Sequence, residues 1–318
     1  MPKPAPYGLK PVRTGRPGHA VVVLHGIRQV RDSLEPFAKM VAAATDLDIY
    51  VYGYNHTLGL EHNGRCLYDA LVSDLPEGRI DLIGYSMGGL VARLAASTSY
   101  PSRIHTVVTL ATPNRGSVSN AELTTLGQLG RSAFEFLSPF APRTEGVKDL
   151  TRAASIMSAR RDAVLAEYPK LTLDADERRY ASVPGLFYNT DISDTTFGPS
   201  VALGGLQATI QLIGLKVRLS KMRRPHDGIV TERSNDISSS ETHDWSEVHL
   251  VGAAPGGAPA RTHAVIDNCR RHDHLSILTD ADVARFVAVL IGTDDWRTLR
   301  HDHTDLRSRV RLLPFDKD

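Results

Sequence analysis

The sequence predicts an α/β protein built on a mainly parallel central sheet with helices on both faces and a mainly helical insertion. Three observations carry this. Short apolar, β-branched runs alternate with amphipathic stretches through the first third of the chain, a Gly-x-Ser-x-Gly turn joins one such run to one such stretch, and the alternation breaks near Asn114 to resume only late. Strands linked through helices at this spacing imply right-handed crossovers and hence parallel pairing. With 318 residues, 42% hydrophobic and 23% charged, the chain has ordinary globular composition and suits one large domain carrying an insertion.

In order along the chain, residues 1–18 are proline-rich and polar and read as an irregular segment. They lack the apolar core of a signal peptide, so a cytoplasmic product is expected. Residues 19–26 (HAVVVLHG) form an apolar run closed by glycine, the pattern of a strand buried on both faces. The stretch Asp32–Ala44 places Leu34, Phe37, Ala38, Val41 and Ala42 at helical spacing. Residues 46–54 read as a second strand, and Gly64–Leu75 as a helix with Leu67, Ala70, Leu71 and Leu75 on one face. Residues 79–97 read as strand, tight turn and helix, and residues 103–113 as a strand ended by Pro113.

Residues 115–182 read as mostly helical, including a piece over 150–168. An excursion of that length between sheet elements is a cap or lid candidate. A strand is expected at 183–191 and late strands at 247–253 and 263–269, with a closing amphipathic helix over 280–292. The apolar stretch 201–219 either lines an acyl pocket or fills core. The resulting division is a core of 19–114 and 183–292, a helical cap of 115–182, and a charged, peripheral segment of 293–318.

Composition excludes several classes of partner. Thirty-seven Lys and Arg against 36 Asp and Glu leave a formal charge of +1, which gives no electrostatic basis for a nucleic-acid partner. The run nearest to a membrane span, 201–217, contains Gln207, Gln211 and Lys216, so no stable membrane insertion is expected. Cys66 and Cys269 lie far apart and read as ordinary buried thiols without a disulfide. The His-x-His pairs at 272–274 and 301–303 lack the three or four ligands of a metal site, and no Gly-x-Gly-x-x-Gly or phosphate-loop motif occurs, so neither a metal nor a cofactor is expected.

Gly84-Tyr85-Ser86-Met87-Gly88 carries the chemistry. The serine falls on a sharp strand-to-helix turn, after the apolar run 80–83 and before the helix-forming residues 89–94. A serine hydroxyl needs a base, and its tetrahedral intermediate needs N–H donors. The backbone N–H groups of Met87, after the nucleophile, and of Ile27, just beyond the His25-Gly26 turn, are the candidate oxyanion donors. His25 stands before Ser86 and reads as a loop-holding residue. Acid and base follow the nucleophile of such an elbow in chain order. Asp227, in the turn His226-Asp227-Gly228, is the candidate acid, with Asp191, Asp194 and Asp267 as rivals. His274, in the loop before the last helix, is the candidate base, with His272 as its rival among the other late histidines.

Taken together, VVLHGI, GYSMGGLVAR, LATPNRGS, HDGIV and DHLS, in that order, resemble the α/β-hydrolase lipases and esterases, particularly the bacterial lipase and GPI inositol-deacylase-like branch. The resemblance spans about residues 19–290. It implies the α/β-hydrolase fold, a triad of Ser86, Asp227 and His274, and oxyanion donors Ile27 and Met87. Tyr85 stands where histidine is common in that group. The implied substrate is a small-molecule ester or lipid, cleaved through an acyl-enzyme on Ser86 and without a cofactor. An acyltransferase using the same acyl-enzyme, or a non-catalytic ligand-binding protein of this fold, is the alternative. The sequence fixes no oligomeric state.

Overall fold

The computed structural model describes residues 7–98 except 76, residues 103–116, most of 144–159, residues 179–185, seven of the residues from 227 to 237, and residues 261–266, 274–293 and 310–313. Among these, eight strands make one sheet: β1 (Gly8–Arg13), β2 (Arg16–Leu24), β3 (Leu47–Gly53), β4 (Arg79–Tyr85), β5 (Ile104–Leu110), β6 (Arg179–Val183), β7 (Arg261–Ile266) and β8 (Val310–Leu313). Their spatial order is β1-β3-β2-β4-β5-β6-β7-β8. Every pair from β3 through β7 is parallel, and the edge strands β1 and β8 are antiparallel to their neighbours.

The apolar runs of the central strands follow from burial on both faces. Val21, Val22, Val23 and Leu24 of β2 are all buried, as are Leu82 and Ile83 of β4 and Val107 and Val108 of β5. Helices α1 (Glu35–Ala43) and α6 (Ala281–Gly292) cover one face, giving a core of Phe37, Val41, Val287 and Ile291 against Val21 and Ile49. Helices α2 (Leu60–Asp74) and α3 (Met87–Ala96) cover the other, with Leu67, Leu71, Leu90 and Leu94 against Val22 and Leu82. Every residue of α3 is buried, which explains why its sequence is apolar around its whole circumference except at Arg93.

The strand order sets the position of the site. From β2 the chain steps outward to β3 and then returns to β4 on the other side of β2. Neighbouring strands whose connections leave in opposite directions open a crevice beyond their carboxyl ends. The loops after β2 and β4, which hold His25 and Ser86, meet there.

Several elements lie where the sequence reading did not put them. The segment 1–18 contains β1 and the start of β2. Strand β1 is a half-exposed edge with a register break at Pro11–Arg13, so it shows neither a continuous apolar run nor clean alternation. Strand β6 ends at Val183, where a strand was expected to begin, so residues 179–182 belong to the sheet and not to the cap. Its polar members have partners: the Arg179 guanidinium donates to the Thr293 carbonyl, and Ser182 Oγ accepts from the Ile237 N–H. Strand β8 lies inside the segment 293–318 that read as peripheral. Cys66, expected to be buried, is exposed on α2. The expected cap lies largely outside the described residues, which show within it helix α4 (Glu145–Thr151). The stretches 201–219 and 247–253, Cys269 and the rival residues Asp191, Asp194, Asp267 and His272 also lie outside them.

Candidate active site

Strand β4 ends at Tyr85, and the next residue, Ser86, adopts φ 52 and ψ −124, a left-handed φ that non-glycine residues seldom hold. Two hydrogen bonds fix it there: the Ser86 N–H donates to the Leu110 carbonyl at 2.9 Å, and the Ser86 carbonyl accepts from the Gly89 N–H at 3.0 Å. The flanking glycines are demanded by close approach. A Cβ on Gly88 would lie 2.5 Å from the His25 carbonyl oxygen and 2.8 Å from that of Leu24, and a Cβ on Gly84 would collide with the backbone of Gly88 and Gly89. All these neighbours are backbone atoms, so the helix can start this close to the sheet only without side chains at those positions.

The three side chains singled out in sequence come together. His274 Nε2 lies 2.9 Å from Ser86 Oγ, and His274 Nδ1 lies 2.7 Å from Asp227 Oδ2. With Nδ1–H donating to the carboxylate, Nε2 is left as the acceptor for the serine hydroxyl. Asp227 Oδ1 accepts the Val230 N–H at 2.6 Å, and the Asp227 N–H donates to the Val230 carbonyl at 3.0 Å, so the turn orients its own carboxylate. The His274 N–H donates to the Asp227 carbonyl at 2.8 Å. All three residues are buried.

The loop after β2 abuts the serine, since a Cβ on Gly26 would stand 3.0 Å from Ser86 Cβ. Its shape depends on His25. His25 Nδ1–H donates to the Gly26 carbonyl at 2.8 Å, Nε2 accepts the Tyr54 N–H at 3.2 Å, and the Tyr54 hydroxyl donates to the His25 carbonyl at 2.7 Å. Burial lowers the His25 pKa to about 4, and burial likewise pushes the Tyr54 phenol well above its ordinary value. Both rings are therefore neutral, as this bonding pattern requires. Farther along, the Gly26 N–H donates to Gln29 Oε1 and Arg28 takes φ 61, turning the chain away. The N–H groups of Ile27 and Met87 have no hydrogen-bond partner among the described residues, Met87 because it opens α3.

Sequence reasoning missed the residues that brace this arrangement. Tyr54, at the end of the strand run, gave no signal beyond aromatic and buried. Asn114, in the LATPNRGS segment, accepts from the buried Arg93 at both its carbonyl and Oδ1, and its amide donates to Thr109 Oγ1 and the Asn235 carbonyl. It thereby joins the helix after Ser86 to the short helix Glu232–Asn235, α5, that follows Asp227. Among the described residues no group of three or more His, Cys, Asp or Glu is placed to hold a metal, and no helix is long and apolar enough to cross a membrane.

The family model described as PGAP1-like alpha/beta domain matches residues 45–166, less than half of the chain. Comparison with curated proteins finds no match. Similar solved structures include a Bacillus licheniformis lipase in its mature form, at 21% identity over 72% of this chain and 83% of that one, with a TM-score of 0.47. The propeptide form of that lipase is 18% identical over 89% of this chain and 52% of that one, with a TM-score of 0.49. A Paleococcus ferrophilus monoacylglycerol lipase is 14% identical over 55% and 76%, with a TM-score of 0.35. At those scores the fold assignment stands on this chain's own strand order and elbow. With a mainly parallel sheet, a serine on a strand-to-helix elbow and a family-model match across that elbow, the chain has the α/β-hydrolase fold and resembles the lipases and esterases.

Proposed function

We propose that the protein is a serine hydrolase of carboxylic esters working through an acyl-enzyme on Ser86. The observation that carries this reading is the continuous hydrogen-bonded series from Asp227 Oδ2 through the His274 ring to Ser86 Oγ, at 2.7 and 2.9 Å. Ser86 Oγ attacks the acyl carbon while His274 Nε2 takes its proton, and Asp227 orients and supports the imidazolium. The carbonyl oxygen gains charge as the tetrahedral centre forms, and the N–H groups of Ile27 and Met87 receive it. Collapse breaks the bond to the alcohol, which leaves with the proton from Nε2. Water, deprotonated by the same nitrogen, then attacks the acyl-enzyme and releases the acid, returning the proton to Ser86.

Ester or lipid substrates of no net charge suit a chain with a formal charge of +1 and 6% aromatic residues. The reading therefore favours an esterase acting on single dissolved molecules. Ser86→Ala is expected to abolish hydrolysis of a p-nitrophenyl ester while the far-ultraviolet circular dichroism stays that of the parent. Wild-type turnover by this variant removes the proposal.

A further inference from the structure

Tyr85 occupies the position between Gly84 and the serine, and its side chain meets both other parts of the site. Its hydroxyl donates to the His274 carbonyl at 2.7 Å, and its ring is tilted by 43° against the imidazole with centroids 5.2 Å apart. On the other side, the position of a Cβ on Gly26 is 3.0 Å from Cδ1 and Cε1 of the same ring. The His274 N–H is held by the Asp227 carbonyl. The two peptide groups flanking the His274 Cα are thus tied one to the acid and one to the nucleophile strand, and these bonds fix how far the imidazole reaches.

We infer that Tyr85 is a positioning residue that sets the reach of His274 Nε2 toward Ser86 Oγ and toward the leaving group. This rests on the serine-hydrolase reading above. Without the hydroxyl, the His274 carbonyl loses its tie to β4, and the turn that begins at His274 is free to draw the ring away from the serine. Catalytic steps that move a proton through Nε2 respond steeply to displacements of that size. Substrate binding does not use Nε2, so KM is spared.

The test compares two esters of one acid. A p-nitrophenolate leaves without protonation, whereas an ethoxide must take the proton from His274 Nε2. Tyr85→Phe keeps the ring and its volume. In this variant kcat/KM, which reports acylation, is expected to fall roughly 100-fold for the ethyl ester and roughly tenfold for the p-nitrophenyl ester, with KM within about twofold. A loss of folded enzyme lowers both esters in proportion, so the ratio isolates the positioning role whatever fraction is active. Equal falls, or none, overturn the inference. For an acyl group the enzyme does not accept, the labelling rate of Ser86 by a fluorophosphonate replaces the ratio, with about tenfold slowing expected and an unchanged rate overturning it. Ser86→Ala run alongside separates the two claims. If it keeps wild-type rates, the hydrolase reading fails; if it is inactive while Tyr85→Phe leaves ratio and rate unchanged, only the role of Tyr85 fails.

Discussion

The imidazole of His25 lies parallel to the ring of Tyr54, with centroids 4.2 Å apart and 7° between the planes, and the two residues exchange backbone and side-chain hydrogen bonds. This stack fixes the loop that carries the Ile27 N–H and makes it sensitive to acid. His25 binds a proton near its ordinary pKa in the unfolded chain but only at about 4 in the folded one, because burial opposes the charge. Between those values the unfolded state holds the extra proton, so stability is full above about pH 6.5 and declines as pH falls toward 4. A shift of that size corresponds to roughly 3 kcal/mol. His56, half-buried and also lowered by burial, adds in the same direction. Urea unfolding across this range is expected to show the decline in the parent and a shallower one in His25→Gln. Equal slopes in both proteins would remove His25 as its cause.

What was legible in the sequence was whatever rests on local pattern. Val21 to Leu24 announces a buried parallel strand because it is apolar on both faces, Ile80 to Ile83 does so with Asp81 as its one polar member, and the glycines around Ser86 announce a turn with no room for side chains. Asp227 and His274 were reached only in part: chain order placed acid and base in later loops, and their turn and loop settings favoured these two over Asp191, Asp194, Asp267 and His272. Edge strands were not, because β1 and β8 have one neighbour each and need no continuous apolar run. Nor were the bracing contacts. The Tyr85 hydroxyl reaches a carbonyl 189 residues away, and the Asn114 amide one 121 residues away, so no local window holds both partners.

Asn114 is expected to be costly to replace. Its side chain is buried, and it satisfies Thr109 Oγ1, the Asn235 carbonyl and the guanidinium of Arg93 together. Asn114→Ala removes all three side-chain contacts. Arg93 keeps the residue 114 carbonyl and Thr109 Oγ1 keeps the Ala181 carbonyl, but the Asn235 carbonyl loses this donor in a buried setting, where an unsatisfied group costs about 1–3 kcal/mol. A loss of roughly 3 kcal/mol is expected in chemical denaturation, with lower ester turnover because α5 follows the acid turn. Asn114→Asp should not repair it, because a carboxylate oxygen would then face the Asn235 carbonyl across the present 2.6 Å contact. A loss below about 0.5 kcal/mol in Asn114→Ala, the range of ordinary surface changes, would show the network to be incidental.

Helix α2 begins at Leu60 after Gly59, which has no side chain to cap it. Asp149 of α4 takes that part, its Oδ2 accepting the Leu60 N–H at 2.8 Å from 89 residues away. A carboxylate here satisfies one of the free N–H groups of the first turn and faces the positive end of the helix dipole. The same helix approaches the site, since a Cβ on Gly146 would lie 2.9 Å from Met87 Cε. Asp149→Ala is expected to cost about 1 kcal/mol, as loss of an N-cap does, and Asp149→Asn only part of this because an amide oxygen still accepts. Because α4 lies in the segment that reads as a cap, loosening it is expected to raise KM for an ester before it lowers kcat. Denaturation midpoints and ester kinetics of the two variants check both statements. A fall in kcat at constant KM would place the contact with the reacting groups instead of with substrate entry.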